Sequence, residues 1–356
     1  MSADRYDRQT RLEDFGPEGQ RALSEAAVLI IGAGGLGVPA ATYLNAMGIG
    51  RLGLVDGDVV ETSNLHRQPA YGPASVGMAK VRELEKVLRA QNPDTQLDIR
   101  DTFLNPTNAL ELIGNYDLVV DATDNLPTRF LVDDACLMLG IPWVYGALHG
   151  FEGQVSVFNY RGGPTYRCLF PVPPPAGEIP DCDTLGTLGV LPGLIGTMQA
   201  LEAVKAICGL EGVCAGKLLL YDARKQQTLH IAIQKDANRT VPDDLSATYQ
   251  LSCEGEPDAV SGSEYLRLRK EGAAHLLVDV REPGEFESHH LDGARNIPMK
   301  RIALGVPDFS SGNPVYLICE TGPRSRRACR ELQTRWPSTP FFWISGGMRQ
   351  LKVESQ

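Results

Sequence analysis

Val28–Ile31 is a run of large apolar residues that leads directly into the spacing G-x-G-x-x-G, formed by Gly32, Gly34 and Gly37. An apolar run of this length without alternation is typical of a parallel strand that is covered on both faces. The glycines allow a tight turn, and the helix that follows can present its N-terminal amides to a phosphate. We therefore predict a strand, a phosphate-binding loop that also contains Gly35, and a helix.

Similar apolar runs recur along the chain with helical stretches between them, at residues 51–55, 118–121 and 143–145. Strands that alternate with helices in this way are typical of a parallel sheet with helices on both faces. From Gln154 to Phe158 the apolar residues alternate with others, and runs near residues 218–221 and 228–233 predict a final pair of strands. The predicted fold is α/β, with a Rossmann-like, mostly parallel sheet and an antiparallel extension.

The chain has 356 residues, of which 43% are hydrophobic, so it can supply the cores of two domains. The stretch 241–261 is polar and lacks periodicity, which indicates an exposed linker. We predict a first domain at residues 1–240 and a smaller α/β domain at residues 262–356.

Charge and composition indicate which kinds of partner the protein can bind. The formal net charge is -10 and no long run of Lys or Arg occurs, which argues against a nucleic-acid or anionic-membrane surface. The N-terminal segment is polar, and no stretch is apolar for long enough to span a membrane. The eight cysteines are scattered, which favours reduced thiols over disulfides. We expect a cytoplasmic protein with no nucleic-acid or membrane partner.

Polar residues after the second predicted strand bear on the identity of the nucleotide. Asp56 ends that strand, where dinucleotide-binding folds place a carboxylate for the ribose, and this signal alone would favour a nicotinamide-dependent oxidoreductase. However, Asn64, Arg67, Gln68 and Lys80 follow, and their amides and cations suit a triphosphate better than a nicotinamide. Taken singly, Arg67 and Lys80 are equally consistent with solvated surface residues.

Residues 121–125, Asp-Ala-Thr-Asp-Asn, end another predicted strand at the same carboxyl edge of the sheet. Carboxylate oxygens are ligands that Mg2+ prefers. Asp124 is therefore the predicted Mg2+ ligand.

Five motifs occur in a fixed order: RYDRQTRL, GAGGLG, LVDGDVVETSNLHRQ, Lys80 and DATDN. In this order they resemble the adenylating enzymes of molybdopterin and thiamin biosynthesis, MoeB and ThiF, which are relatives of ubiquitin-activating enzyme. The resemblance extends over about two thirds of the chain. Five ordered motifs favour this interpretation over a nicotinamide-dependent enzyme.

The resemblance implies an ATP site with a role for each matched residue. Asp56 binds the ribose hydroxyls, Arg67 and Lys80 hold the phosphates, and Asp124 binds Mg2+. In the family, the arginine of the N-terminal R-Q pair reaches across a twofold interface, which implies that Arg8 enters the partner's site in a homodimer. The other residues implied at the nucleotide are Gly32, Gly34, Gly35, Gly37, Asn64, Gln68 and Asn125.

The resemblance also implies the first reaction. The C-terminal Gly-Gly carboxylate of a small ubiquitin-like sulfur-carrier protein attacks the α-phosphate of ATP, which gives an acyl adenylate and pyrophosphate. Cationic groups and Mg2+ would stabilise the charge that develops.

The chain departs from this family at the structural zinc, which two C-x-x-C pairs commonly hold. Thr165 takes the first ligand position of "TYRC", which leaves Cys168. A tetrahedral thiolate site cannot be assembled from Cys168 and the distant Cys253. We predict no structural zinc and a packing role for Cys168.

Cys182 matches the position of the family's crossover-loop cysteine, which implies attack on the acyl group or on a persulfide adduct. Asp181 and Asp183 flank it, and neighbouring carboxylates disfavour a thiolate. An inert loop cysteine remains the alternative.

The sequences LLVDVREPGEFESHHLDGARNIP and YLICETGPRS resemble a rhodanese domain. Cys319 ends an apolar strand, and the loop as far as Arg324 precedes a helix, so successive amides can point at one sulfur. Such a loop favours a thiolate or persulfide anion. The six-residue spacing matches sulfurtransferases, whereas phosphatases of the same fold have one residue more. We predict that Cys319 carries the sulfur and that Arg324 belongs to its loop.

Other residues of this domain receive supporting roles. We expect Asp279 and Arg281 to brace the cysteine loop, and the pair at residues 289–290 to be structural histidines rather than metal ligands. Glu320 inside the loop is hypothesised to weaken capture of small anions such as thiosulfate. This favours a cysteine desulfurase or another persulfide donor.

Together these inferences predict an adenylyltransferase with sulfurtransferase activity. The persulfide on Cys319 displaces AMP from the acyl adenylate, and reduction, for which Cys182 is a candidate, releases a C-terminal thiocarboxylate. A nicotinamide-dependent oxidoreductase and a noncatalytic scaffold are the alternatives.

Overall fold

The structure is a computed structural model that describes residues 5–171, 186–245, 258–272, 275–303, 309, 313–336 and 339–354. The chain divides into two compact units, Met1–Leu251 and Ser252–Gln356. Cys182 and Cys253 lie outside the described residues.

An eight-stranded sheet forms the centre of the first unit. Its strands are β1 (Ala27–Ile31), β2 (Arg51–Val55), β3 (Gln96–Arg100), β4 (Leu118–Asp121), β5 (Trp143–His149), β6 (Glu152–Phe158), β7 (Lys217–Asp222) and β8 (Gln227–Ala232). They lie in the order β3-β2-β1-β4-β5-β6-β7-β8, in which the first five pair in parallel and the last three are added antiparallel. The predicted parallel sheet with an antiparallel extension is confirmed.

Helices cover both faces of this sheet. They are α1 (Asp7–Thr10), α2 (Gly16–Glu25), α3 (Gly37–Ala46), α4 (Lys80–Gln91), α5 (Ala109–Ile113), α6 (Leu126–Leu139), α7 (Tyr166–Leu169) and α8 (Val190–Cys208). Val28 and Ile30 pack into one core cluster, and Leu29 and Ile31 pack into another. The apolar run of β1 lacks alternation because both of its faces are buried.

In the described part of the chain, α8 is the one helix whose length and composition would allow it to cross a membrane. Half of its most apolar window is buried inside the unit. Its Gln199 donates a hydrogen bond to the carbonyl of Asp121 at 2.6 Å, so this helix packs on the sheet as a core element.

The second unit is built on a five-stranded, entirely parallel sheet in the order β11-β10-β12-β13-β9. Its strands are β9 (Asp258–Ser261), β10 (Leu276–Asp279), β11 (Arg295–Asn296), β12 (Val315–Ile318) and β13 (Phe341–Ser345). Its helices are α9 (Gly262–Lys270), α10 (Pro283–Ser288), α11 (Met299–Ala303), α12 (Pro323–Arg335) and α13 (Gly347–Glu354).

Two strands differ from the sequence prediction. The stretch predicted as a linker, 241–261, includes β9, which pairs in parallel with β13. β9 is a short edge strand in which Val260 is the buried residue, so no periodicity marks it. β3 was not predicted from the sequence. It is also an edge strand, and its residues are partly buried or exposed, so no apolar run marks it.

Candidate active sites

The glycine loop leaves the carboxyl end of β1 and enters α3. Gly32 has a φ of 99°, in the region that favours glycine, and a Cβ on Gly37 would lie 1.8 Å from the carbonyl oxygen of Gly32. Glycine is therefore required at both positions for the helix to approach the strand so closely. The order of the strands reverses between β1 and β4, where open α/β sheets bind ligands.

Gln68 faces this loop with an unsatisfied group. Its side chain is buried, and its Oε1 has no hydrogen-bond partner among the described residues. A Cβ on Gly34 would lie 3.5 Å from Gln68 Nε2, so the amide stands beside the loop. A buried polar atom without a partner fits a site that a polar ligand completes.

Asn64 shapes the turn that carries the neighbouring site residues. Its carbonyl accepts hydrogen bonds from the N–H groups of Arg67 and Gln68 at 3.0 Å, and its Oδ1 accepts the N–H of Glu61 at 3.1 Å. The Arg67 guanidinium donates to the carbonyl of Ser63 at 2.8 Å. The structure thus brings Asn64, Arg67 and Gln68 together in one turn.

Asp56 is tied to the glycine loop by its carboxylate. Oδ2 accepts the N–H of Ala33 at 2.7 Å, and Oδ1 accepts the N–H of Asp58 at 2.8 Å. Burial raises the pKa of Asp56, although the Lys80 ammonium and the two amides act in the opposite direction. Asp56 therefore positions the loop in addition to its predicted role at a ribose.

Lys80 is the first residue of α4, and its side chain is largely buried. Its Nζ lies 2.9 Å from Oδ2 of Asp58, so the ammonium is engaged in an ion pair. Contact with a triphosphate would require this ammonium to exchange or share that partner.

Asp124 and Asn125 follow β4 and are exposed. The turn that carries them touches the glycine loop, since a Cβ on Gly32 would lie 2.7 Å from the carbonyl oxygen of Ala122. Asn125 Oδ1 accepts the N–H of Thr128 at 3.0 Å and caps α6, so Asn125 has a structural role beside the predicted one. Throughout the described residues there is no group of three or more His, Cys, Asp or Glu side chains that could hold a metal ion.

Asp121 and Arg129 fix this turn, and the sequence analysis did not assign them a role. Burial raises the pKa of Asp121 to about 6, and its Oδ1 accepts the N–H and the hydroxyl of Thr123 at 3.0 and 2.7 Å. Arg129 donates to the carbonyl of Thr123 at 3.1 Å. Both residues therefore hold the backbone that precedes Asp124.

Arg8 is exposed on α1. Helix α1 is fixed to the end of α3 because Gln9 donates a hydrogen bond to the carbonyl of Met47 at 3.0 Å. The predicted entry of Arg8 into a partner's site stays a prediction.

An ion-pair network occupies the region where the family carries zinc. Asp134, which is buried on α6, accepts both ends of the Arg167 guanidinium at 2.9 and 2.6 Å and also pairs with Arg239. Cys168 Sγ accepts the N–H of Asp236 at 3.4 Å, and Lys235 donates to the carbonyl of Gly162 at 2.8 Å. These residues do not fit a tetrahedral thiolate site. Through its two ion pairs, Asp134 connects the segment that contains Arg167 with the segment that contains Arg239.

Cys319 directly follows β12 and is 1% exposed. Its Sγ accepts the backbone N–H of Gly322 at 3.1 Å, and the Ser325 hydroxyl, which donates to the carbonyl of Gly322 at 2.8 Å, lies 3.5 Å from the sulfur. Helix α12 begins at Pro323, two residues earlier than the predicted start, because proline suits the first helical turn. Of the loop amides predicted to point at the sulfur, that of Gly322 is the one bonded to it among the described residues. Ser325, which holds the Gly322 carbonyl beside the sulfur, had no predicted role.

The N-terminus of α13 holds the outer side of this loop. The N–H groups of Met348 and Arg349 donate to the carbonyls of Cys319 and Glu320 at 2.9 and 3.0 Å. A Cβ on Gly347 would lie 2.3 Å from the carbonyl oxygen of Cys319. These contacts fix the Cys319 and Glu320 carbonyls at the start of the loop.

Ion pairs surround the sulfur site. Arg281 is fully buried, pairs with Asp279 at 2.8 Å and with Glu320 at 2.9 Å, and so braces the loop as expected. Arg324 forms a bidentate pair with Glu285 at 2.7 and 2.8 Å. This hydrogen bonding lowers the pKa of Glu285 to about 2.

The two adjacent histidines serve the packing of this unit. The carbonyl of His289 accepts a hydrogen bond from Arg281 at 2.8 Å. The ring of His290 stacks on Phe286 with a centroid distance of 4.0 Å. Both contacts are structural, with Arg281 and with Phe286.

The fold and the two sites define a class of two-domain α/β proteins. The first domain has a glycine loop suited to a nucleotide, and the second has a cysteine loop suited to a sulfur anion. The chain belongs to the ThiF family, whose model matches residues 6–242, and the model of the Rhodanese-like domain matches residues 261–354. The resemblance stated from the motifs is confirmed.

Two relatives support this membership, and a solved structure supports the fold. "Adenylyltransferase and sulfurtransferase MOCS3" of Caenorhabditis briggsae is 39% identical over 99% of this chain and 96% of its own length. "Adenylyltransferase and sulfurtransferase MOCS3-1" of Zea mays is 38% identical over 93% of this chain and 77% of its own length. A crystal structure of E. coli MccB with MccA-N7isoASN is 19% identical, covers 68% of this chain and 74% of that chain, and has a TM-score of 0.59, which supports the fold.

These relatives confirm the predicted enzyme class, an adenylyltransferase with sulfurtransferase activity. They do not favour a nicotinamide-dependent oxidoreductase or a noncatalytic scaffold.

Proposed function

We propose that this chain activates the C-terminal Gly-Gly carboxylate of a ubiquitin-like sulfur-carrier protein and converts it to a thiocarboxylate. The observation that carries the proposal is the presence of two complementary sites in one chain. The first unit has a glycine loop with Asp56 bonded to it and Gln68 beside it, and the second has a buried cysteine sulfur that accepts a loop amide and lies beside the Ser325 hydroxyl. Relatives named for both activities support this pairing.

In the first step, the first unit binds ATP, and the carrier's carboxylate attacks the α-phosphate while pyrophosphate leaves. Arg67 and Lys80 hold the phosphates, Asp56 holds the ribose, and the loop amides contact the triphosphate. Asp124 would hold Mg2+, which neutralises phosphate charge when bound. The ion pair with Asp58 holds the Lys80 ammonium in position before ATP arrives.

In the second step, Cys319 carries a persulfide received from a cysteine desulfurase or another persulfide donor. The terminal sulfur attacks the acyl carbon and AMP leaves with the electron pair of the broken bond, which gives an acyl disulfide on Cys319. A second thiol then attacks the Cys319 sulfur, which releases the thiocarboxylate and leaves a disulfide. Cys182 is the candidate for this thiol.

We place the enzyme in the cytoplasm as a homodimer in which Arg8 reaches the partner's nucleotide, with no nucleic-acid or membrane partner. The pathway we propose is molybdopterin biosynthesis, one of the two pathways of the enzymes that the motifs resemble.

The proposal is tested by ATP-pyrophosphate exchange with each small Gly-Gly carrier protein of the same genome, followed by mass measurement of the carrier. We expect exchange with at least one carrier and a mass gain that matches replacement of one oxygen by sulfur. Asp124→Asn should abolish exchange, and Cys319→Ala should preserve exchange and abolish the mass gain. Absence of exchange with every carrier would contradict the proposal.

A further inference from the structure

Tyr71 is a buried residue next to the nucleotide loop for which the proposed mechanism has no role. Its side chain is 5% exposed, and it follows the turn that carries Gln68, to whose carbonyl its N–H donates at 3.1 Å. Its hydroxyl lies 2.7 Å from the carbonyl oxygen of Ala33, inside the glycine loop. The same hydroxyl lies 3.3 Å from the carbonyl oxygen of Lys80, at the start of α4.

The contact with Ala33 determines the direction of a loop amide. A peptide group is planar and trans, so the Ala33 carbonyl and the Gly34 N–H point in opposite directions. Because Tyr71 holds this carbonyl toward the core, the Gly34 N–H is turned away from the core. Asp56 fixes the preceding peptide in the same way by accepting the Ala33 N–H at 2.7 Å. Ala33 is therefore held on both sides.

The contact with Lys80 connects this loop to the proposed phosphate-binding cation. A tyrosine hydroxyl has one proton, so the shorter contact, to Ala33, is the main hydrogen bond. Burial raises the pKa of Tyr71, and the charges of Asp56 and Glu83 raise it further, which keeps the hydroxyl protonated as a donor. One hydroxyl thus lies between the loop and the helix that begins with Lys80.

We propose that Tyr71 is a positioning residue for the nucleotide site. It orients the Ala33–Gly34 peptide and sets the distance between the glycine loop and the N-terminus of α4. This inference rests on the proposed binding of ATP for its effect on affinity, but the ordering of the loop is a property of the protein alone.

The experiment compares Tyr71→Phe with a matched control, Tyr116→Phe, in the full chain. Tyr116 is also a buried tyrosine of the first unit, and its hydroxyl donates to Asp98 at 3.0 Å. It precedes β4 and therefore lies at the opposite, amino edge of the sheet. Each variant loses one hydroxyl and its hydrogen bond, so a general loss of stability affects both.

Hydrogen exchange of the ligand-free protein is the first readout. In Tyr71→Phe we expect roughly fivefold faster exchange of the amides in a peptide that covers residues 32–38, because one hydrogen bond to the loop is lost. Tyr116→Phe should leave this peptide unchanged. Equal exchange of the loop in both variants would overturn the inference.

ATP affinity is the second readout, measured by calorimetry with ATP and Mg2+ and by the KM for ATP in pyrophosphate exchange. Tyr71→Phe should raise both constants roughly fivefold with little change in kcat, and Tyr116→Phe should change neither. An unchanged ATP affinity in Tyr71→Phe would overturn the positioning role. If the wild-type protein bound no ATP, the proposed function would fail, and hydrogen exchange would still decide whether Tyr71 orders the loop.

Discussion

Replacement of Asp134 by Asn tests the charge network that links two segments of the first unit. The Asp134 side chain is 2% exposed, and those of its partners Arg167 and Arg239 are 10% and 20% exposed. The amide keeps the volume of the carboxylate and removes the charge that both guanidinium groups face. Loss of one member of a buried ion pair costs about 3–5 kcal/mol because the other charge stays buried. The partial exposure of Arg239 favours the lower limit, about 3 kcal/mol.

The assay is thermal unfolding of the full chain. A loss of 1 kcal/mol lowers Tm by about 2–4 °C for a unit of this size, so we expect a decrease of about 6–12 °C in Asp134→Asn. Glu85→Gln is the matched control, because Glu85 also pairs with two arginines, which are 54% and 57% exposed. That change should cost less than about 1 kcal/mol.

EDTA should not change Tm of the wild-type protein, because the network needs no metal. An equal decrease of Tm in the Asp134 and Glu85 variants would refute the reasoning. A large decrease of Tm with EDTA would also refute it, since it would reveal a metal in the place that the ion pairs are held to occupy.

Three further predictions concern the second unit and the nucleotide site. Ser325→Ala should slow sulfur loading of Cys319 roughly fivefold, because the hydrogen bond that holds the Gly322 peptide, whose neighbouring amide contacts the sulfur, is lost; mass spectrometry of the loaded protein measures the rate, and an unchanged rate would count against this role. Glu285 has a folded pKa below its unfolded value, so its stabilising effect is present above pH 4.5 and is lost as the pH falls toward 2. In urea unfolding, the free energy of unfolding should fall less at acidic pH in Glu285→Gln than in wild type. The difference should be less than about 1 kcal/mol, because the Arg324 and Glu285 side chains are 41% and 38% exposed. The same dependence on pH in both proteins would contradict this prediction. Lys80→Met should raise the KM for ATP at least tenfold, as pyrophosphate exchange would show, because a charged phosphate contact is lost; an unchanged KM would remove Lys80 from the site.

The glycine loop, the mostly parallel sheet with its antiparallel extension and the cysteine loop were predicted from the sequence because their signals are local. The positive φ of Gly32 and the contact of Gly37 with the carbonyl oxygen of Gly32 belong to the loop itself. An apolar run such as Val28–Ile31 likewise shows its burial in its own composition. The cysteine loop is likewise defined by the spacing from Cys319 to Arg324.

The residues that were missed act through contacts between distant parts of the chain. Tyr71 reaches Ala33, and Asp134 joins Arg167 to Arg239, across separations that no local pattern marks. Ser325 lies close to Cys319 in sequence, but its role depends on where α12 begins. Because the helix begins at Pro323, Ser325 lies in its first turn, where its hydroxyl bonds to the Gly322 carbonyl and lies 3.5 Å from the sulfur. Side-chain hydrogen bonds of this kind follow from the folded backbone and not from composition.

The sulfur loop depends on backbone amides that the chain supplies only after it. Cys319 leaves the ribosome before Met348 and Arg349, whose amides hold the carbonyls of Cys319 and Glu320. Because a polypeptide emerges in order, the growing chain passes through an interval with a synthesised thiol and an unfinished loop. Translation that stops in this interval yields a protein with a complete first unit and no organised sulfur acceptor.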